Sequence, residues 1–201
     1  MNERINSNKI KCALMHNFVF SRGYIGSTEI YSGFGIADTI FIKKKNPKDV
    51  VEIEIKISKA DLIGEFKHKQ NKHTMIEKEQ CSYHAWQANK YYFCVPLELV
   101  EFTKELLTKY NKSKYGIIAY QEIWRPIKSK KVERLELEES VQIVKSALNL
   151  RPKEIIPKEV FDTYKQSIEL RNNYLVNTLM RQVYFSLDKA SMKIYRPMEK
   201  K

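Results

Sequence analysis

The segment Val51-Glu52-Ile53-Glu54-Ile55-Lys56-Ile57 alternates aliphatic and charged residues without a break. Successive side chains of a strand point to opposite faces, so Val51, Ile53, Ile55 and Ile57 share one face and Glu52, Glu54 and Lys56 the other. Asn46-Pro47-Lys48-Asp49 ahead of it is a strong turn signal. Ser58 behind it sits where a helix N-cap belongs, with Asp61 three residues on. A strand entered from a hairpin and left through a capped helix commits this stretch to a layered α/β arrangement.

The flanking sequence extends that pattern. Residues 4–22 carry apolar positions at helical spacing. Tyr24 to Tyr31 and Ile36 to Lys43 read as strands joined by a turn at Ser32-Gly33-Phe34-Gly35, and Val50 to Ile57 is the third strand. A helix follows over Lys59 to Phe66, then a polar stretch from Lys67 to Lys72 and a helix from about Thr74 to Ala88. Tyr91 to Val95 and Tyr115 to Tyr120 read as buried strands separated by a helix over Leu97 to Tyr110, and Trp124-Arg125-Pro126 closes a short strand. The expected architecture is an α/β sandwich around a mixed sheet. Arg151-Pro152 and Ile156-Pro157 mark a linker, so residues 1–148 form the expected core domain and 149–201 a helical C-terminal extension, with helix over 158–187.

A chain of 201 residues with 43% hydrophobic content can bury a core, which excludes a wholly disordered protein. Lys and Arg outnumber Asp and Glu by 36 to 24, a net charge of +12 that points to a polyanionic partner, most simply nucleic acid. A basic soluble protein without such a partner has the same composition. No apolar run is long enough to cross a bilayer, and the polar start lacks a secretory signal. Cys12, Cys81 and Cys94 are too widely spaced for a disulfide framework, which suits a reducing cytoplasm.

The chemistry concentrates near the third strand. Folding the hairpin about Asn46-Pro47 sets Asp38 opposite residues 54 to 56, and folding the preceding one about Gly33 sets Glu29 opposite Asp38. Up to three carboxylates and a lysine then meet at one end of the meander. Hard carboxylate oxygens suit Mg²⁺ or Mn²⁺, which can polarise a phosphoryl oxygen and activate water. Lys56 lies on the same strand face as Glu54, roughly 6–7 Å along. It could orient or deprotonate the attacking water, or neutralise developing charge.

Asp38 followed by Glu54-Ile55-Lys56 resembles the PD-(D/E)XK nuclease signature, set in the helix, three-strand, helix, strand order of that superfamily. The segments Ala37-Asp38, Val51 to Ser58 with Ala60-Asp61-Leu62, Asn89 to Pro96 and Tyr115 to Ala119 are most similar to the MmcB-like DNA-repair family, over residues 10 to 148. The resemblance implies a restriction-endonuclease-like αβββαβ core, Asp38 and Glu54 as metal ligands with the Ile55 carbonyl, and Lys56 as catalytic lysine. It places Gln80 on a helix facing the site. Two departures stand out: no proline precedes Asp38, and the polar stretch from Lys67 to about Glu79 looks like an insertion. Glu52 falls where an apolar residue is expected, as an alternate ligand or a solvent-exposed acid.

Lys67, Lys69, Lys72 and His73 suggest a phosphate-contacting loop beside this site, with Ser58 and Lys59 as further nucleic-acid contacts. A solvated charged loop has the same composition. His68, His73, Cys81 and His84 match no standard zinc spacing. The leading expectation is a Mg²⁺-dependent (or Mn²⁺-dependent) DNA endonuclease of repair or defence, with RNA still open as substrate. The alternatives are a non-catalytic nucleic-acid-binding module on the same fold, or an interaction protein oligomerising, for instance as a homodimer, through its C-terminal helices.

Overall fold

A computed structural model describes residues 5–31, 35–44, 46–77, 88–128, 133–150, 162–163 and 165–179. Helix α1 (Ser7–Met15) is capped by the Asn6 side chain, which accepts from the Lys9 amide, and runs on as a π-helical turn over His16–Ser21. Strands β1 (Tyr24–Tyr31), β2 (Ile36–Lys43) and β3 (Asn46–Ile55) follow. Helices α2 (Lys59–His68) and α3 (Gln70–Glu77) lead to β4 (Lys90–Pro96). A short 3₁₀ turn enters α4 (Val100–Lys109), and β5 (Gly116–Lys128) and β6 (Glu133–Lys145) form a long closing hairpin.

The six strands form one mixed sheet in the order β1-β2-β3-β4-β5-β6. The first three are antiparallel, β3-β4-β5 are parallel, and β6 returns antiparallel on β5. Strand β4, Tyr91-Tyr92-Phe93-Cys94-Val95, is buried throughout because helices cover both faces, as central parallel strands require. On one face α1 and the π turn pack Ile10, Leu14 and Phe18 onto Phe41, Val51, Ile53 and Ile55. On the other, α2, α3 and α4 pack Leu62, Phe66, Ile76 and Leu107 onto Tyr91, Phe93 and Ile117. Gly116 lies under Tyr92, where an added Cβ would meet the ring at 2.3 Å.

The structure departs from the sequence reading at several elements. Asn46 to Asp49 lies within β3, not in a turn, since Lys43 already pairs with Asn46. Asp49 is held inside by the Tyr24 hydroxyl at 2.7 Å and by Lys90 at 2.7 Å, so this turn-favouring residue finds its partners in the sheet. The third strand ends at Ile55, two residues earlier than expected, although the Lys56 amide still donates to the Cys94 carbonyl at 3.0 Å. The polar stretch after Lys67 is helical: α2 runs to His68 and α3 starts at Gln70. The expected helix to Ala88 and the turn at 32–34 extend into residues outside those described.

Residues 165–179 are helical, as expected, but they pack on the sheet. Ile168 is buried among Ile30, Ile40, Ile42 and Val50. Arg171 Nε donates to the Thr28 carbonyl and Asn172 Nδ2 to that of Gly26, tying this helix to edge strand β1. This part of the C-terminal region therefore shares the core of the preceding domain. No helix of the described residues is long and apolar enough to cross a membrane.

Candidate active site

Strand β2 pairs with β3 from Lys43 to Thr39, opposite Ile53, so Asp38 leaves the ladder next to residues 54 and 55, where the fold of the hairpin sets it. Glu54 and Lys56 stand at the end of β3, on the face that α2 and α3 cover. Asp38 Oδ2 accepts from the Ile55 amide at 2.8 Å, which binds the first residue of the constellation to the middle of the Glu54-Ile55-Lys56 triplet. Burial raises the Asp38 pKa above the usual carboxylate range, and the Glu54 charge raises it further. The two acids are thus within electrostatic reach of one another.

Glu54 is buried and surrounded by cations. Its Oε1 lies 3.0 Å from Lys56 Nζ and 3.3 Å from Lys69 Nζ, and its Oε2 lies 2.8 Å from Lys72 Nζ. Burial alone would push its pKa up; Lys72, Lys56 and Lys69 outweigh that and hold it well below the ordinary value. Burial likewise works against the Lys56 charge, but Glu54 and Glu65 more than compensate and raise its pKa. Lys56 is therefore an ammonium at neutral pH. It can stabilise negative charge or orient water, and cannot take a proton while both acids hold it.

The other expected site residues fall into three groups. Glu29 lies across β1–β2 from Asp38 but adopts a left-handed backbone with φ of 56°, and its carboxylate is turned to Lys11, at 3.0 Å, and Arg171. Lys11 Nζ also lies 4.0 Å from Asp38, so it links the two acids. Ser58 caps α2 by accepting from the Asp61 amide at 3.1 Å, and Lys59 lies over the Phe102 ring. Both are exposed at the helix start, as is Lys67 near its end. Lys69 and Lys72 turn to Glu54, so they are counter-ions of the acids here, where the sequence suggested a phosphate loop. Gln80, Cys81 and His84 lie outside the described residues.

Three features escaped the sequence reading. Glu52 is not solvent-exposed: it is buried, and burial raises its pKa to about 7 against the opposing pull of Lys72, 3.5 Å away. Glu65 is wholly buried, with Lys56 at 2.9 Å. A signal for it exists, since it lies between Leu62 and Phe66 on the inward stripe of α2. His73 is a core residue: burial lowers its pKa to about 3, its ring stacks on Phe66, and Nδ1 meets the Tyr115 hydroxyl at 3.2 Å. A neutral, enclosed imidazole contacts no phosphate.

Among the described residues no three His, Cys, Asp or Glu side chains are grouped as they would be around a bound metal ion. Asp38 and Glu54 remain a pair of hard oxygen donors at one sheet end, and Mg²⁺ is commonly held by one or two carboxylates with water completing its shell. The donor chemistry fits a hard dication; three ammonium groups compete for Glu54.

No family model matches this chain, and no curated protein matches it. Among solved structures, the SPO1766 protein of unknown function from Silicibacter pomeroyi is similar at TM-score 0.55 and 14% identity, over 89% of this chain and 94% of that one. That likeness concerns the fold alone.

Proposed function

We propose that this protein is a Mg²⁺- or Mn²⁺-dependent phosphodiester hydrolase acting on DNA, with a restriction-endonuclease-like core of the PD-(D/E)XK superfamily and greatest similarity to the MmcB-like family. The observation that carries the reading is the registered Asp38–Ile55 hydrogen bond, which brings Asp38, Glu54 and Lys56 to one end of β3. Asp38 and Glu54 would hold the ion, with the Ile55 carbonyl as a further ligand. The ion would polarise the phosphoryl oxygen and lower the pKa of water. Lys56, kept cationic, would stabilise negative charge on the phosphoryl oxygens as water forms a new P–O bond and the P–O bond to the leaving group breaks. The net charge of +12 supports a polyanionic substrate.

The test is cleavage of duplex, single-stranded and branched DNA, and of RNA, with Mg²⁺, Mn²⁺ or chelator, using Lys56→Ala as control. Metal-dependent cleavage that Lys56→Ala abolishes is expected. Absence of cleavage on every substrate would favour the second reading, a non-catalytic nucleic-acid-binding module. A specific observation speaks for it: both Glu54 oxygens are already engaged by lysines. DNA binding that weakens steeply with salt is expected under both readings.

A further inference from the structure

Glu54 and Glu65 face the same ammonium groups from different elements. Glu65, on α2, lies 2.9 Å from Lys56 Nζ, 2.8 Å from Lys69 Nζ and 3.8 Å from Lys72 Nζ. Glu54, on β3, lies within 3.3 Å of all three. A dication that takes Glu54 must take it from these lysines. An ammonium that loses its anion inside a protein needs another anion or water, because isolated buried charge is costly. The Lys56 and Lys72 side chains are only 8% and 11% exposed, whereas that of Lys69 is 47% exposed. Water can therefore receive Lys69, but Lys56 needs an anion already in place. Glu65 is that anion: its side chain is fully buried and in contact with Lys56. It also reaches Lys69 one helical turn along.

We propose that Glu65 is a positioning residue of this site: it holds Lys56 in place, and keeps its bridge to Lys69 until water receives that lysine, when Glu54 turns to a divalent cation. The proposal rests on the nuclease reading, in which Glu54 is a metal ligand. Glu65 acts on the lysines and not on the metal. Without it the same ammonium groups fall back on Glu54 and compete harder with the ion. Lys69 is the competitor that can leave.

The test measures Mn²⁺ binding by calorimetry on the full chain, without nucleic acid, for wild type, Glu65→Gln, Lys69→Met and the double variant. Glu65→Gln is expected to weaken Mn²⁺ binding about tenfold, equivalent to roughly 1.4 kcal/mol. Lys69→Met is expected to tighten it, and the double variant to return to within a few-fold of wild type. Unchanged affinity in Glu65→Gln would make Glu65 a purely structural acid and overturn the proposal. A double variant as weak as Glu65→Gln would make Glu65 a metal ligand and overturn it too. If Glu65→Gln does not fold by circular dichroism, Lys69→Met decides alone, and unchanged or weaker binding overturns the proposal. A wild-type chain that binds no Mn²⁺ in this assay overturns the nuclease reading itself. A wild type that binds Mn²⁺ with variants that do not shift overturns only the role of Glu65.

Discussion

The Asp38 carboxylate accepts a hydrogen bond from the Ile55 backbone amide at 2.8 Å, beside the Glu54 charge that raises its pKa. The two effects separate in Asp38→Asn. The amide oxygen keeps the acceptor for Ile55, while the negative charge disappears. An acid whose pKa is raised by folding costs stability as pH rises through that pKa, so at pH 8 the variant should melt no lower than wild type in chelator. Stabilisation by Mg²⁺ should vanish, and cleavage should fall by about 100-fold or more. Melting scans with and without Mg²⁺ check the first two points. A variant that keeps wild-type stabilisation by Mg²⁺ removes Asp38 from the site.

The helix over 165–179 places Ile168 in a cluster with residues of β1, β2 and β3. Ile168→Ala should therefore cost about 2–4 kcal/mol, the range for truncating a large aliphatic in a packed core. Urea denaturation of the full chain measures it. A loss below about 0.5 kcal/mol would return this helix to the status of a separate extension.

The legible parts of this fold were those whose signal is local. Strands β1 and β2 and the Ser58 cap follow from alternation, glycine and a capping side chain. The neighbourhood of Asp38 and residues 54 to 56 is legible from where the hairpin folds, although Asn46 to Asp49 itself belongs to the strand. Strand β6 has a weak signal: in Glu133-Arg134-Leu135-Glu136-Leu137-Glu138-Glu139 only Leu135 and Leu137 alternate with charge. Glu65 and the inward turn of Lys69 and Lys72 are hidden for a different reason. Glu65 shows only in the inward stripe of α2, and the pairing of Lys69 and Lys72 depends on carboxylates of β3 that no local pattern displays.

Glu52 provides a pH test of that buried cluster. Its pKa is raised to about 7 by burial, with Glu54 and Glu65 adding to the shift and Lys72 opposing it. The folded protein thus binds more protons at Glu52 than the unfolded chain between about pH 4.5 and 7. Stability from this group is fully present at low pH and is lost as pH rises through that window. Glu52→Gln should flatten the dependence and be more stable than wild type at pH 8, by about 1–3 kcal/mol. Denaturation midpoints at pH 5, 6, 7 and 8 (the difference widening with pH) give the sign. A difference that is constant across the series would mean that Glu52 stays ionised throughout.

Lys56 and Lys69 touch the same two acids but differ in burial, and their removal should differ accordingly. Lys56→Met leaves Glu54 and Glu65 in a dry setting with one ammonium fewer, and breaking such a buried pair costs about 3 kcal/mol. Lys69→Met removes a group that is 47% exposed, whose bridges are weakened by water, so its cost should stay below about 1 kcal/mol. Activity should diverge in the same direction. Lys56→Met should lower turnover by roughly two to four orders of magnitude, as expected for losing a positioned charge-stabilising group, while Lys69→Met retains most of it. Equilibrium denaturation and single-turnover cleavage of the same preparations measure both effects. Equal stability losses would show that the two lysines share one environment, and an active Lys56→Met would remove Lys56 from the chemistry.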